Sequence, residues 1–417
     1  MATTFSSSSS GRFAPLHFRD IVHDVLKQYK NDSESESESK AHRIFREQAG
    51  HQYKGFMSEI VDPSNGFSST SAHEWANFGQ GAPEVGDIPG AHPRPRTIKL
   101  AIDALEYAPS TGVQELREAV ANLYNHTYRQ DKESQYTYEN VCIVPGGRAG
   151  LSRVAAVIGD VYCRRATRLQ SYQIPDCTAY DQVLGAFKRV VPVPTTSAVS
   201  TYMFLVEGKT DRGLVPPLDA VAYGFEHENK HHTDVDQLRK NIRTQDLKVV
   251  LLSNLRNPTG QVIQGDELYE LVRTSCEMNA TLILDELYSW YIYLENEAEF
   301  GESVSSAAYI DDVNEDSIII IDSLTKNWRL PGFRVCWVIA PKNVITALSQ
   351  SGYFLGGGAN HPLQLAAIPL LEPGYVHAEK VALQKHFKHK RDHVLTHLQR
   401  LRFKVAVLPD STFYIWL

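Results

Sequence analysis

Lys326 closes an apolar run, within Ser323-Leu324-Thr325-Lys326-Asn327-Trp328-Arg329-Leu330-Pro331-Gly332-Phe333-Arg334. Lysine is rarely buried unless it is paired or reacted. Desolvation lowers an amine's pKa and makes it a nucleophile or Schiff-base former. Ser323 and Arg334 bracket it, and a hydroxyl with a guanidinium suits a phosphate monoester. Gly146-Gly147-Arg148-Ala149-Gly150 adds a second set of phosphate donors. An apolar run ends there and a helix begins, so free N–H groups and the helix dipole converge. Asp285 ends another apolar run, with Tyr288 three residues on. A carboxylate there can pair with a protonated pyridine nitrogen and keep a ring electron-withdrawing. Asn257 and Tyr288 can both donate to a ring phenolate oxygen. Lysine, phosphate cradle, carboxylate and phenolate donors together describe a pyridoxal 5′-phosphate (PLP) site.

These groups need a frame that brings chain segments up to 190 residues apart to one place. The runs VCIV (141–144), KVVLLSN (248–254), TLILDE (281–286) and SIIIID (317–322) are continuous and apolar, and helical periodicity lies between them, as in ELREAVANLYNHTY (115–128). That pattern predicts an α/β protein whose mostly parallel sheet is covered on both faces. Open sheets of this kind bind ligands beyond the C-terminal ends of their strands, where each candidate residue falls. After about 340 the pattern turns to helices followed by one strand, FKVAVL. The expected organisation is a tail and arm over 1–75, partly disordered, a large domain over 76–345, and a smaller, incomplete α+β domain over 346–417.

Composition narrows the function classes. The 417 residues are 42% hydrophobic and 22% charged, with a formal net charge of −7, the profile of a folded chain with a large core. An acidic balance argues against a nucleic-acid backbone as partner, and no apolar run reaches the ~20 residues a membrane span needs. The five cysteines are scattered and contain no C-x-x-C pair, so neither a disulfide scaffold nor a zinc ribbon is expected. The compartment expected is reducing and cytoplasmic, with a Ser-rich start that leaves an organelle-transit reading open.

SNLRNPTG, LILDELY and SLTKNWRLPGFRVCW resemble the fold-type I, class I/II aminotransferases (aspartate aminotransferase-like). NFGQGAPEVGDIP (77–89) and YAPSTGVQELREAV (107–120) resemble that family's N-terminal substrate loop and the segment after it. The resemblance runs from about 75 to 417 and implies a large PLP-binding domain with a smaller α+β domain. It implies that Lys326 forms the Schiff base and shuttles the proton, that Asp285 pairs with the pyridine nitrogen, and that Asn257 and Tyr288 contact the phenolate oxygen. Gly147, Arg148, Ser323 and Arg334 would hold the phosphate. Tyr107 would reach the phosphate from a partner subunit, which implies a homodimer with shared sites, and Gly81 would lie near the substrate carboxylate.

Three departures stand out. In Pro175-Asp176-Cys177-Thr178-Ala179-Tyr180, Cys177 takes the position where the family stacks an aromatic ring on the cofactor. The chain stops before the family's carboxylate-binding arginine. Arg148 replaces a small or hydroxylated residue. The activity implied is transfer of an α-amino group from an amino acid to a 2-oxo acid, in amino acid metabolism or biosynthesis. The alternative is a PLP lyase, decarboxylase or cyclase in specialised metabolism. A silent PLP-fold binding protein is disfavoured because the lysine, aspartate and phosphate groups are all present.

Other motifs read as bland. SESESESK (33–40) is a polar tail. His386, His389 and His393 share a helical face but sit among Lys388, Lys390 and Arg391, so no metal is expected. Gly356-Gly357-Gly358 lacks the dinucleotide spacing and is expected to form a loop at the site's mouth.

Overall fold

Seven strands form one sheet in the order β1-β7-β6-β5-β4-β2-β3. They are β1 (Val141–Val144), β2 (Arg168–Ile174), β3 (Val190–Thr196), β4 (Val249–Ser253), β5 (Thr281–Asp285), β6 (Ile318–Ser323) and β7 (Cys336–Ile339). The computed structural model describes residues 81–98, 100–160, 168–174, 177, 180, 183, 190–196, 234–244, 247–403, 405 and 407–416. The expected tail, Cys163 and the segment 197–233 lie outside these. Pairings β2–β3, β2–β4, β4–β5 and β5–β6 are parallel, whereas β7 runs antiparallel to both β1 and β6. The sheet is therefore mixed, with parallel pairs in the majority.

β1, β4, β5, β6 and β7 read as near-continuous apolar runs because both faces are covered. Val141, Ile143, Val250, Leu252, Leu282, Leu284, Ile318, Ile320, Trp337 and Ile339 pack into one core cluster. The intervening Cys142, Val144, Val249, Leu251, Ile283, Ile319, Ile321, Cys336 and Val338 pack into the other. This period-two split, with neither side wet, is the signature of a sheet inside a helical sandwich. On the first face lie α1 (Gln114–Tyr128), α3 (Val235–Thr244) and α4 (Gly265–Glu277), which contribute Leu116, Val120, Leu238, Ile242, Leu268 and Leu271. On the second lie α2 (Gly147–Asp160) and α5 (Lys342–Leu355), through Leu151, Val154, Ile158, Val344 and Leu348.

Ala82–Leu417 forms one compact unit, distinct from Met1–Gly81. Beyond α5 come α6 (His361–Ala367) and the long α7 (Pro373–Arg400). The strand expected at FKVAVL is not formed at its described positions, Phe403, Val405, Val407 and Leu408. A strand needs a neighbour to complete its ladder, and among the described residues this end of the chain makes only an isolated bridge, Ile292 to Ser411. None of the described helices is long and apolar enough to cross a membrane.

Candidate active site

The ends of β1, β4, β5 and β6 face the same edge of the sheet, because Ser253 is paired with Asp285, while Val144 and Ser323 are each paired with Cys336. Lys326 follows β6 in a tight turn, where Leu330 N–H donates to the Leu324 carbonyl at 2.9 Å. Its amine lies 5.7 Å from the centre of the Tyr288 ring and 5.6 Å from that of Phe413. Burial brings the amine's pKa down to about 8, while the charges of Asp285 and Cys177 pull it up and Arg148 and Arg334 press it down further. One amine thus couples to four of the residues singled out in the sequence.

Asp285 is nearly buried at the tip of β5. Its Oδ2 accepts a 2.8 Å bond from the Tyr180 hydroxyl and its Oδ1 a 3.3 Å bond from Leu287 N–H. Tyr288 is buried, and its hydroxyl shares a 2.7 Å hydrogen bond with that of Tyr414. Desolvation pushes the Tyr288 hydroxyl well above its ordinary pKa, so it stays a neutral donor. Cys177 is half-buried, and its thiol is close enough to raise the Lys326, Tyr288 and Tyr414 values electrostatically. It therefore sits at the site, though a thiol offers no ring face to stack. Asn257 is fixed through its backbone N–H to Ser253 Oγ at 3.2 Å.

The residues expected to hold a phosphate lie around the turn that opens α2 and the turn after β6. Gly146 has φ +102°, and a Cβ there would lie 1.7 Å from Arg334 Nη2, so only glycine lets the guanidinium lie across the turn that opens α2. Gly147 begins that helix, packed against Leu287 and the Cys336 thiol. Ser323 is buried, with its Oγ accepting a 3.0 Å bond from Thr325 N–H. Thr325 Oγ1 is buried with no hydrogen-bond partner. A buried hydroxyl left without a partner in the turn that carries Lys326, with a guanidinium laid on a helix start, offers the donor types a phosphate ester requires, and on that observation PLP fits the residues present. Arg148 is exposed and reaches the site through its charge on Lys326.

Tyr107, expected to reach the phosphate of a partner subunit, is fully exposed on its own chain, and Gly81 is half-buried in the unit before Ala82. Conversely, Tyr180, Thr325, Phe413 and Tyr414 belong to the site without having been assigned roles. Tyr180 and Thr325 lie inside runs that were themselves singled out, whereas Phe413 and Tyr414 lie 87 or more residues from Lys326 and carry no local signal beyond an aromatic pair.

Beneath the site lies a polar floor. Glu286 accepts from Ser305 Oγ at 2.5 Å, Ser306 N–H at 2.8 Å and Ser306 Oγ at 2.7 Å, and burial lifts its pKa to about 7 despite those bonds. Asp322 accepts from Tyr124 at 3.0 Å and from Asn327 at 2.9 Å, and is pushed well above the usual carboxylate range by burial. Among the described residues no group of three or more His, Cys, Asp or Glu could hold a metal ion.

Residues 217–417 match the family described as aminotransferase class I and II. The chain is 24% identical over 348 residues to an aspartate aminotransferase of Streptomyces avermitilis, spanning 81% of this chain and 72% of that protein. It is 27% identical over 209 residues to an LL-diaminopimelate aminotransferase of Natranaerobius thermophilus, spanning 50% of this chain and 47% of that one. A solved Thermus thermophilus aspartate aminotransferase double mutant superposes with a TM-score of 0.58 at 21% identity, over 75% of this chain and 69% of that one. That likeness carries the fold, and the site carries the chemistry.

Proposed function

We infer that this chain, a fold-type I protein of the class I and II aminotransferases, is a PLP-dependent enzyme that moves an α-amino group from an amino acid to a 2-oxo acid. The observation that carries the residue assignment is the half-buried Lys326 amine beside Asp285, in the crevice that also holds the phosphate cradle. Relatives named as aminotransferases support transfer over the lyase alternative.

When bound, PLP supplies a carbonyl that condenses with primary amines and a ring that accepts the electron pair released at the substrate carbon. Gly147, Ser323, Thr325 and Arg334 would hold its phosphate, with Arg148 adding positive charge. Asp285, fixed by Tyr180 and Leu287, would face the ring nitrogen with an oriented carboxylate. Asn257 and Tyr288 would donate to the phenolate oxygen. With a pKa of about 8, the Lys326 amine is neutral in a useful fraction near neutrality, so it can accept a proton from carbon and return it. Tyr288, Phe413 and Tyr414 wall the amine with aromatic surface, which thins the water around it.

The test is stoichiometric. Enzyme loaded with PLP and given one L-amino acid without an acceptor should release about one equivalent of 2-oxo acid per site and then stop. Continuous release of oxo acid with ammonia would select an eliminating lyase, and turnover of the amino acid with no oxo acid a decarboxylase or cyclase. The rate at which the visible cofactor band appears on loading should rise with pH up to about 8 and level off above it, because loading needs the neutral amine.

A homodimer fits the same reading. Leu100, Ile102, Leu105 and Tyr107 are exposed, as are Tyr353 and Phe354. The two groups share one region: Ser110 Oγ bonds Ser349 Oγ at 2.7 Å, and Gly358 packs on the Ala108 carbonyl. So large an apolar surface is what a second copy would cover. Sedimentation should give a dimer at micromolar concentration, and Tyr107→Asp should weaken it; a monomer throughout would overturn this assignment.

A further inference from the structure

Arg329 stands three residues after Lys326 with φ +56°, the left-handed region that a non-glycine residue adopts only under strain. Its side chain is 1% exposed, and its Nη1 donates to the carbonyls of Glu84 at 3.0 Å and Gly86 at 2.7 Å. From the other end of that segment, Arg94 Nη2 donates back to the carbonyls of Trp328 at 3.0 Å and Arg329 itself at 2.7 Å. Each arginine thus grips the backbone from which the other projects.

The 84–94 segment is in turn anchored to α7. Glu84 Oε2 pairs with His386 Nε2 at 2.9 Å and Lys390 Nζ at 2.5 Å, and His92 N–H donates to Glu379 at 2.7 Å. The Lys326 turn receives the other end of the connection, since Arg329 N–H donates to the Lys326 carbonyl at 3.0 Å, as does the Tyr291 hydroxyl at 2.9 Å. Stability alone is a poor reason for Arg329 to be there, because its Nη2 is buried without a partner and such a group is costly.

We propose that Arg94 and Arg329 form a reciprocal latch that ties the turn carrying Lys326 to the 84–94 segment on α7, and so positions the lysine amine for proton transfer. Both are positioning residues, acting through the backbone of residues 326–329. The left-handed Arg329 is the strained element the latch holds in place. With the latch open, the turn relaxes toward an ordinary backbone conformation and the amine leaves its place beside Asp285. The inference rests on the aminotransferase reading for its turnover arm only.

The experiment uses the full chain loaded with PLP and compares Arg94→Met, Arg94→Lys, Arg329→Met and the Arg94→Met/Arg329→Met double variant. Loaded sites are counted by cofactor absorbance, so kcat is expressed per loaded site. Each methionine variant should lower kcat about tenfold with KM within about threefold, a loss expected from breaking charged hydrogen bonds. Because the latch is one unit, the double variant should be no worse than the poorer single. Arg94→Lys, which keeps a cation able to reach one carbonyl, should recover part of the loss. Thermolysin cleavage within residues 84–94 should quicken about tenfold in every methionine variant.

Unchanged kcat per loaded site, a double-variant loss equal to the product of the singles, or unchanged cleavage would each overturn the latch. A purely structural role would lower the number of loaded sites and leave kcat per site alone. If Arg329→Met does not fold, the two Arg94 variants carry the test. If the unaltered enzyme loads PLP but releases no oxo acid from any donor, the aminotransferase reading fails, and cleavage still decides the latch.

Discussion

Lys326→Ala should lower kcat by about four orders of magnitude or more, the scale seen when a covalent catalytic group is deleted, and should remove the visible cofactor band. The expectation follows from how few amines can substitute. Among the described residues the other lysine amine brought down to about 8 belongs to Lys380, but it donates to Ser303 Oγ at 2.7 Å and lies over the Tyr128 and Trp290 rings. It is committed elsewhere. The variant should fold, and its stability should lose a pH dependence. Lys326 has a folded pKa of about 8 against an ordinary 10.5, so between those values the unfolded chain binds more protons. Unfolding free energy therefore climbs with pH across that window. The burial penalty is present in full below about 8 and gone above 10.5. Without added cofactor, the unaltered protein should gain stability from pH 8 to 10 relative to Lys326→Ala. Activity within tenfold of the unaltered enzyme would remove Lys326 from the mechanism.

The sheet was legible because its physics is local. Val249 to Ser253, Thr281 to Asp285 and Ile318 to Ser323 are apolar apart from the opening Thr281 and the last one or two positions, which marks strands buried on both faces and puts polar groups at their ends. Lys326, Asp285, Tyr288 and Arg334 could be placed by that rule before any contact was known. What escaped depends on partners distant in the chain. FKVAVL alternates like a strand, but alternation supplies no neighbour to pair with. The Tyr288–Tyr414 bond joins residues 126 apart, and the Arg94–Arg329 exchange joins residues 235 apart. Arginine in a turn after a strand reads as a surface charge until its carbonyl partners are known. Cys177 is the opposite case, singled out through the family's local pattern with no distant contact needed, and its charge acts on the Lys326 amine.

Asp285→Asn should separate two effects that Asp285 combines. The substitution keeps the size of the side chain and leaves an oxygen to accept from Tyr180, so β5 and its tip should stand. What it removes is a negative charge beside the Lys326 amine, the strongest influence opposing burial there. Without it the amine's pKa falls below about 8, and the pH at which PLP loading levels off moves down. Deprotonating the lysine becomes easier. Turnover should nonetheless fall by about two to three orders of magnitude, the size of losing one preorganised electrostatic partner, because a neutral amide cannot hold a proton on the ring nitrogen as a carboxylate does. The two readouts thus move in opposite senses, which a general loosening of the site would not produce. A loosened site would let water back to the amine and carry the loading profile up toward 10.5. A profile that rises, or turnover that stays within threefold, would mean that Asp285 serves the fold through Tyr180 and Leu287 and not the cofactor ring.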